Sequence, residues 1–333
     1  MRAASGSLAD IVARFRGRRV LVLADLVADE FVHGRVERVS REAPVLILRH
    51  AATDVRLGGG ANAVHNIRSL GGMPVPVGIL GRDAYGLRLR ALLRGLGVSS
   101  SRVFAQPGYA TPVKTRVLAG GAHSTEQQIV RIDRLGRLEN AAAARRRVLA
   151  ALRAAPRLDA VLVSDYGLGL LGREVVNAAV ALARRRRIPV TVDSRHGLLA
   201  FRGMTAVTPN EPELEAALGV RIGHDRRKLE VAGRAALRRL RARAVLVTRG
   251  SDGMALFEPG RPTLHIPIFG SDQVADVTGA GDTVIATFTL ALAAGASPAD
   301  AGRLANCAGG IVVMKRGTAS VSAAELAAAV VRA

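Results

Sequence analysis

The stretch "AVLVSDYGLGLLGREVVNAAVALARRRRIPVTVD", residues 160–193, decides the fold of this chain. An apolar run, 160–165, ends in Asp165. A helical pattern rich in Ala, Val and Arg occupies 172–186, and a second apolar run, 189–193, ends in Asp193. Runs this short, unbroken and rich in β-branched residues read as strands buried on both faces. Two strands joined through a helix return to the sheet in parallel.

The same alternation extends outward in both directions. "RVLVLAD" (19–25), "TAVTPN" (205–210) and "AVLVT" (244–248) read as further strands. Residues 138–154, 211–218 and 225–241 read as further helices. A parallel sheet covered on both faces follows. Its strands end on Asp25, Asp165, Asp193, Asn210 and Thr248. In such sheets ligands bind at the carboxyl ends of the strands, so five polar ends are expected at one crevice. Two segments break the alternation. Residues 30–57 and 111–133 have a period of two without helices between them, and read as antiparallel ribbons forming a lid beside the crevice. There is no internal repeat, low-complexity tract or clear linker.

Composition narrows the class. The chain has 333 residues and its single cysteine is Cys307, which excludes an intrachain disulfide and fits a reducing compartment. The N-terminal "MRAASGSLADIVARFRGRR" has no apolar signal core. The uncharged run between Asp282 and Asp300 is interrupted by Gly295 and Pro298 and reads as a buried helix, not a membrane span. A cytoplasmic protein without a membrane partner is expected. The net charge of +21 raises the question of nucleic acid. The charge is spread arginine, since the only lysines are Lys114, Lys228 and Lys315. With three tyrosines and no tryptophan there is little for bases to stack on. Solvated arginine faces are the simpler reading, and no nucleic-acid partner is expected.

One polar turn runs straight into an apolar helix: "DVTGAGDTVIATFTLAL", 276–292. A helix start presents unpaired N–H groups and the positive end of a dipole. If Gly279, Ala280 and Gly281 open it, an anion can sit directly on the backbone. Asp282 then lies beside that anion and can take a proton from a hydroxyl attacking it. Donors on phosphoryl charge plus a base for the nucleophile make a phosphotransferase site. A plain glycine-rich helix start with a capping aspartate is the alternative. No G-x-x-x-x-G-K-[ST] loop is present, which excludes a Walker-type nucleoside triphosphatase.

"DVTGAGDT" (276–283), "GGGANAVHNIRSLGG" (58–72) and "TPNEPE" (208–213) together resemble, in order and spacing, the signatures of the PfkB/ribokinase family of carbohydrate kinases. Within it, "LADLVADEFVHGRVERVSREAPVLIL" (23–48), "VLVSDYGLGLL" (161–171) and "MALFEPGRPTLHIP" (254–267) are similar to the D-glycero-β-D-manno-heptose 7-phosphate kinases. The resemblance implies one ribokinase-like α/β/α domain over 1–333, with a mostly parallel central sheet and an inserted β-lid. It also implies ATP and Mg²⁺ as cofactors, and a homodimer through the lid. No nucleotidyltransferase segment follows, so only a kinase step is expected.

By the same resemblance Asp282 is the catalytic base, with Gly279, Ala280 and Gly281 as its anion hole. Asn210, Glu211, Pro212 and Glu213 form the N-x-x-E stretch, whose Asn210 and Glu213 organise Mg²⁺ and ATP phosphates. Thr248, Gly250 and Gly253 belong to the nucleotide loop, and Asn306 lies near the adenine. Asp29, Gly58, Gly59 and Asn62 hold the sugar. Lys114, Arg116, Arg131 and Arg195 are the cations available for a substrate phosphate; Lys114 and Arg116, two apart on one ribbon, should share a face. Two positions depart from the heptose kinases: Leu168 stands where they carry a lysine, and Arg195 lies near another. Asp25 and Asp165 are open between a ligand role and turn capping. His33, His65, His123 and His265 have no metal-ligand spacing, and Cys307 reads as core packing. The alternatives are a family kinase for another sugar, sugar phosphate or nucleoside, or a basic nucleic-acid-binding protein on an inactive kinase fold.

Overall fold

The computed structural model describes residues 7–120, 126–136, 138–139, 141–270 and 275–332. His123, the middle of the second ribbon (121–125) and residue 140 of the helix expected over 138–154 lie outside the described residues. In chain order the first elements are α1 (Leu8–Ala13), β1 (Arg19–Ala24), β2 (Leu26–Val39), β3 (Leu46–Gly59), α2 (Gly60–Ser69), β4 (Met73–Leu80), α3 (Ala84–Gly95) and β5 (Val103–Ala105). Then come β6 (Val113–Gly120), β7 (Gln127–Arg134), α4 (Ala141–Arg153), β8 (Ala160–Asp165), α5 (Arg173–Arg186), β9 (Val190–Ser194) and β10 (Ala206–Val207). The rest are α6 (Glu211–Leu218), α7 (Arg226–Leu240), β11 (Ala244–Thr248), β12 (Met254–Phe257), β13 (Leu264–Ile266), α8 (Ala280–Ala293), α9 (Pro298–Val313) and α10 (Ala323–Arg332).

The main sheet has nine strands in the order β13-β12-β11-β10-β9-β8-β1-β4-β5, parallel from β5 to β11 and antiparallel through β12 and β13. Alternating residues of each strand serve opposite cores. Val20, Val22 and Leu162 pack with α2, α8 and α9 on one face, while Leu21, Leu23, Val161 and Val163 pack with α4, α5 and α7 on the other. That two-sided burial is why the strands read as unbroken apolar runs. The chain leaves β1 toward β4 on one side and reaches β8 on the other. The crevice opens at this divergence, as it does in other doubly wound sheets. Because β11, β10, β9, β8 and β1 are consecutive neighbours, the five polar ends lie side by side along one edge.

Both ribbons are present: the first is longer than expected, over 26–59, and the described strands of the second cover 113–120 and 127–134. β2 and β3 are 14 residues each, and β2 follows β1 after a single residue, Asp25. A parallel pairing of β2 with β6 joins the ribbons into one four-stranded sheet, β3-β2-β6-β7. Elsewhere two elements differ from the sequence reading. The strand expected over 205–210 is reduced to Ala206–Val207, because Pro209 cannot donate to a ladder and Asn210 already caps the next helix. "MPVPVGIL" forms β4, although its prolines argue against an inner strand. Its neighbour β5 pairs only with Gly78–Leu80, so beside Pro74 and Pro76 no partner strand needs their missing N–H groups. No helix among the described residues is long and apolar enough to cross a membrane.

Candidate active site

Asp282 is buried in the first turn of α8, 3% exposed. Its Oδ1 accepts from the Tyr166 hydroxyl at 2.8 Å and its Oδ2 from the Asn62 amide at 3.2 Å. Burial pushes this carboxyl up to about 6, against the opposing effect of those two donors. Asn62 is held in turn by Asn66, whose amide donates to its Oδ1 at 3.1 Å, and Thr283 donates to Asn66 at 3.1 Å. This buried polar ladder therefore ties α2 to α8.

The helix start lacks a side-chain cap and is open at Gly281. Gly279 caps α8 at φ +79° without any side-chain cap. A Cβ there would lie 2.5 Å from the Asn62 amide nitrogen. A Cβ on Gly281 would meet nothing within 4 Å, so this residue faces open space. The expected three-residue anion hole is narrower in one respect: the Ala280 N–H is spent on the Val277 carbonyl at 3.2 Å. Among the described residues, Gly279, Gly281 and Asp282 keep the N–H groups left for an anion.

Asp29 on β2 is the second buried carboxylate. It accepts from Arg116 at 2.7 Å and from Thr318 at 2.6 Å. A Cβ on Gly58 would stand 2.5 Å from the Asp29 carboxyl carbon, so only glycine lets the two strands carry this acid here. Gly59 closes β3 and caps α2. Arg116 and Arg56 both lie against the Phe31 ring, at 5.4 and 5.0 Å from its centre. Beneath the lid they line a cleft of about 460 Å³ that also includes Gln128, Asp276 and Arg316.

The four cations read from sequence separate. Lys114 and Arg195 meet at Tyr166, their charged ends 4.6 and 4.4 Å from its ring centre. Burial and the Arg195 charge pull Lys114 down to about 8. Lys114 makes no ion pair among the described residues. Arg116 belongs to Asp29. Arg131 pairs with Arg116 across the ladder, but its guanidinium is engaged by Asp133 at 2.9 Å on its own exposed strand. Leu168 is buried and donates its N–H to Asp25 at 3.2 Å.

Farther along the strand ends, Asn210 and Glu213 form a reciprocal cap. The Asn210 side chain accepts the Glu213 N–H at 2.8 Å, and the Glu213 carboxylate accepts the Asn210 N–H at 2.9 Å. A bridge between Asn210 and Thr248 sets this cap beside the β11–β12 turn. Arg249 locks that turn to Glu211 at 3.3 Å and to Asp252 at 3.1 Å. Asn210, Pro212, Thr248 and Gly250 line a second cleft of about 460 Å³. Gly253 ends the turn at φ +74°, and Asn306 on α9 donates to the Pro267 carbonyl at 2.8 Å. Asp193 is raised well above the ordinary carboxylate range by burial, then by Glu213 and Asp282. Burial raises Glu213 also. These crowded oxygens, few in number, fit a hard divalent cation that keeps other ligands of its own. Among the described residues no three His, Cys, Asp or Glu side chains group to hold a metal unaided.

Asp25 and Asp165 turn out to be braces. Asp25 accepts the Tyr166 N–H at 2.9 Å as well as that of Leu168. Asp165 accepts from Gly167 at 3.0 Å and from Ser194 at 2.7 Å. Tyr166, Thr318 and Asp193 were not singled out as site residues from the sequence. Asp193 had a signal, its place at a strand end. Tyr166 and Thr318 had none of short range, since their partners lie 116 and 289 residues away.

The geometry has counterparts among known proteins. A family model described as "pfkB family carbohydrate kinase" matches residues 26–325. The bifunctional protein HldE of Geobacter metallireducens is 42% identical over 318 residues, covering 95% of this chain and 64% of that protein. HldE of Rhodospirillum rubrum is 40% identical over 328 residues, covering 97% and 64%. This chain thus spans under two thirds of the length of these relatives. Among solved structures, Arabidopsis thaliana ribokinase complexed with ribose and ATP superposes with a TM-score of 0.71 at 21% identity, covering 94% of this chain and 99% of that one. Escherichia coli phosphofructokinase-2 with substrates and products gives 0.74 at 21%, covering 95% and 99%. These two establish the ribokinase-like fold.

Proposed function

This chain belongs to the pfkB family of carbohydrate kinases, and from that premise we propose that it transfers the γ-phosphoryl group of ATP to the anomeric hydroxyl of D-glycero-D-manno-heptose 7-phosphate. The product is the 1,7-bisphosphate, a step toward ADP-heptose. One observation carries the reading: a buried carboxylate raised to about 6 stands at a helix start without a side-chain cap, near Lys114, which makes no ion pair among the described residues. A base near neutrality next to vacant anion donors suits attack of a hydroxyl on phosphorus. The sugar follows from the resemblance of 23–48, 161–171 and 254–267 to heptose 7-phosphate kinases. In the lid cleft Arg56 is paired with Asp54 and Arg116 with Asp29, so Arg316, which makes no ion pair among the described residues, supplies the charge for a phosphorylated substrate.

Asp29 and Asn62 orient the sugar hydroxyls. Asp282 takes the proton from the anomeric oxygen as that oxygen bonds to the γ-phosphorus and the bond to ADP breaks. The N–H groups of Gly279 and Gly281 receive the equatorial oxygens, and Lys114 and Arg195 offset their charge. Asn210 and Glu213 would hold Mg²⁺ against the ATP phosphates, where the ion supplies charge neutralisation. Thr248, Gly250, Gly253 and Asn306 shape the nucleotide side.

A coupled ADP-release assay tests the assignment. The expected result is a kcat/KM for heptose 7-phosphate roughly 10–150-fold above that for unphosphorylated heptose, the value of one charge-assisted phosphate contact of ~1.5–3 kcal/mol. Equal values would move the assignment to a neutral sugar. A salt-sensitive mobility shift without turnover would move it to a nucleic-acid-binding role.

The lid leaves β3 and β7 as open edges, and Ile129, Val130 and Ile132 on β7 are about half exposed at 47%, 47% and 52%. Such an edge invites pairing. Two lids packed across a twofold axis would cover it, giving a homodimer. Light scattering at micromolar protein should return twice the chain mass; a monomer mass would count against this arrangement.

A further inference from the structure

We propose that Tyr166 is a positioning residue for Asp282, a phenol whose ring is held by Lys114 and Arg195 so that its hydroxyl donates to one carboxylate oxygen in a fixed direction. The proposal deepens the kinase reading and rests on Asp282 being the base.

Three sets of contacts leave the phenol little freedom. Its backbone is pinned from below, where Asp25 accepts the N–H groups of Tyr166 and Leu168, and Asp165 accepts that of Gly167. Its ring is held by two cations, 4.6 and 4.4 Å from the centre. Such contacts are favourable on the ring face and resist ring reorientation. Its hydroxyl reaches Asp282 at 2.8 Å, while Asn62 holds the other oxygen at 3.2 Å. With both oxygens held, the carboxylate cannot rotate, and its remaining lone pairs have defined directions.

The electrostatics agree. Burial, with the Asp282 charge next, raises the Tyr166 phenol well above its ordinary value, so it remains a donor at working pH. Donation to the ionised form favours that form. Asp282 also feels Asp29 on β2, which raises its pKa, and Arg195, which lowers it. Lys114 on β6 and Asp193 on β9 face the same space. Asp25 beneath the loop has its own pKa raised to about 7 by burial and by Asp165.

Tyr166→Phe keeps the ring, the two cation contacts and the backbone N–H groups that Asp25 accepts, and removes only the donor. Measured beside wild type on the same substrate, titration of Asp25 and of a substrate phosphate is common to both. The plateau kcat should fall roughly 10-fold with KM for ATP nearly unchanged. The acidic limb of kcat/KM should move up by roughly one pH unit. An unmoved limb would overturn the proposal even if the rate fell, since a purely structural role lowers rate without shifting the base. As a second measurement that leaves the sequence intact, incorporation of difluorotyrosine, a stronger donor, should move the limb down. No movement overturns the proposal. Asp282→Asn, assayed in parallel, separates the two readings: an active Asn variant removes the base and Tyr166's role with it, whereas an inactive one leaves Tyr166 to be judged on its own limb.

Discussion

Asp282→Asn should lower kcat by ~10²–10⁴, the usual contribution of a general base, while ATP binding changes little. The amide keeps the shape, and its single oxygen can still accept from Asn62 while its NH₂ turns to the Tyr166 hydroxyl oxygen, but it cannot accept the proton of the attacking hydroxyl. Wild type should lose rate as pH falls through about 6, where burial has raised the Asp282 carboxyl, because the protonated acid is no base. The Asn variant should lack that limb. Single-turnover kinetics with saturating ATP and a pH series from 5 to 9 would check both. Turnover of the Asn variant within a few-fold of wild type would remove Asp282 from the role.

Arg116→Ala should cost about 3–5 kcal/mol of stability, the usual penalty for stripping one partner from a buried ion pair. Asp29 and Arg116 have side chains only 5% and 9% exposed and meet at 2.7 Å. Without the guanidinium, Asp29 keeps the Thr318 hydroxyl but no counter-charge, and Phe31 loses one of its two arginine neighbours. Urea unfolding of the single variants and of Arg116→Ala with Asp29→Asn would measure the coupling. Removing both charges should recover part of the loss, because the larger component is the stranded carboxylate. A midpoint shift worth less than about 1 kcal/mol would show that water reaches Asp29 freely.

The two predictions differ in how their residues could be found. Asp282 is legible because its setting is local: a glycine turn, an acid and an apolar helix follow one another within a few residues, and that pattern alone marks a candidate site. The same holds for 160–193, where unbroken apolar runs announce strands buried on both faces. β4 was not legible, because whether Pro74 and Pro76 are tolerated depends on how far a neighbouring strand reaches. The strand over 205–210 was overread because the cap at Asn210 competes for the same residues.

What the sequence determined by itself was the α/β alternation, the row of polar strand ends, the lid ribbons and the place of Asp282 at a glycine-rich helix start. Each rests on periods and turns a few residues long. The tertiary structure alone decided the partners. It gave Arg116 to Asp29 and Arg131 to Asp133, placed Lys114 and Arg195 against the ring of Tyr166, and made braces of Asp25 and Asp165. A cation in a sequence has no address until the chain closes on itself. Strand order and register choose its neighbour, and the contact between Tyr166 and Asp282 spans 116 residues, a separation at which no local pattern survives.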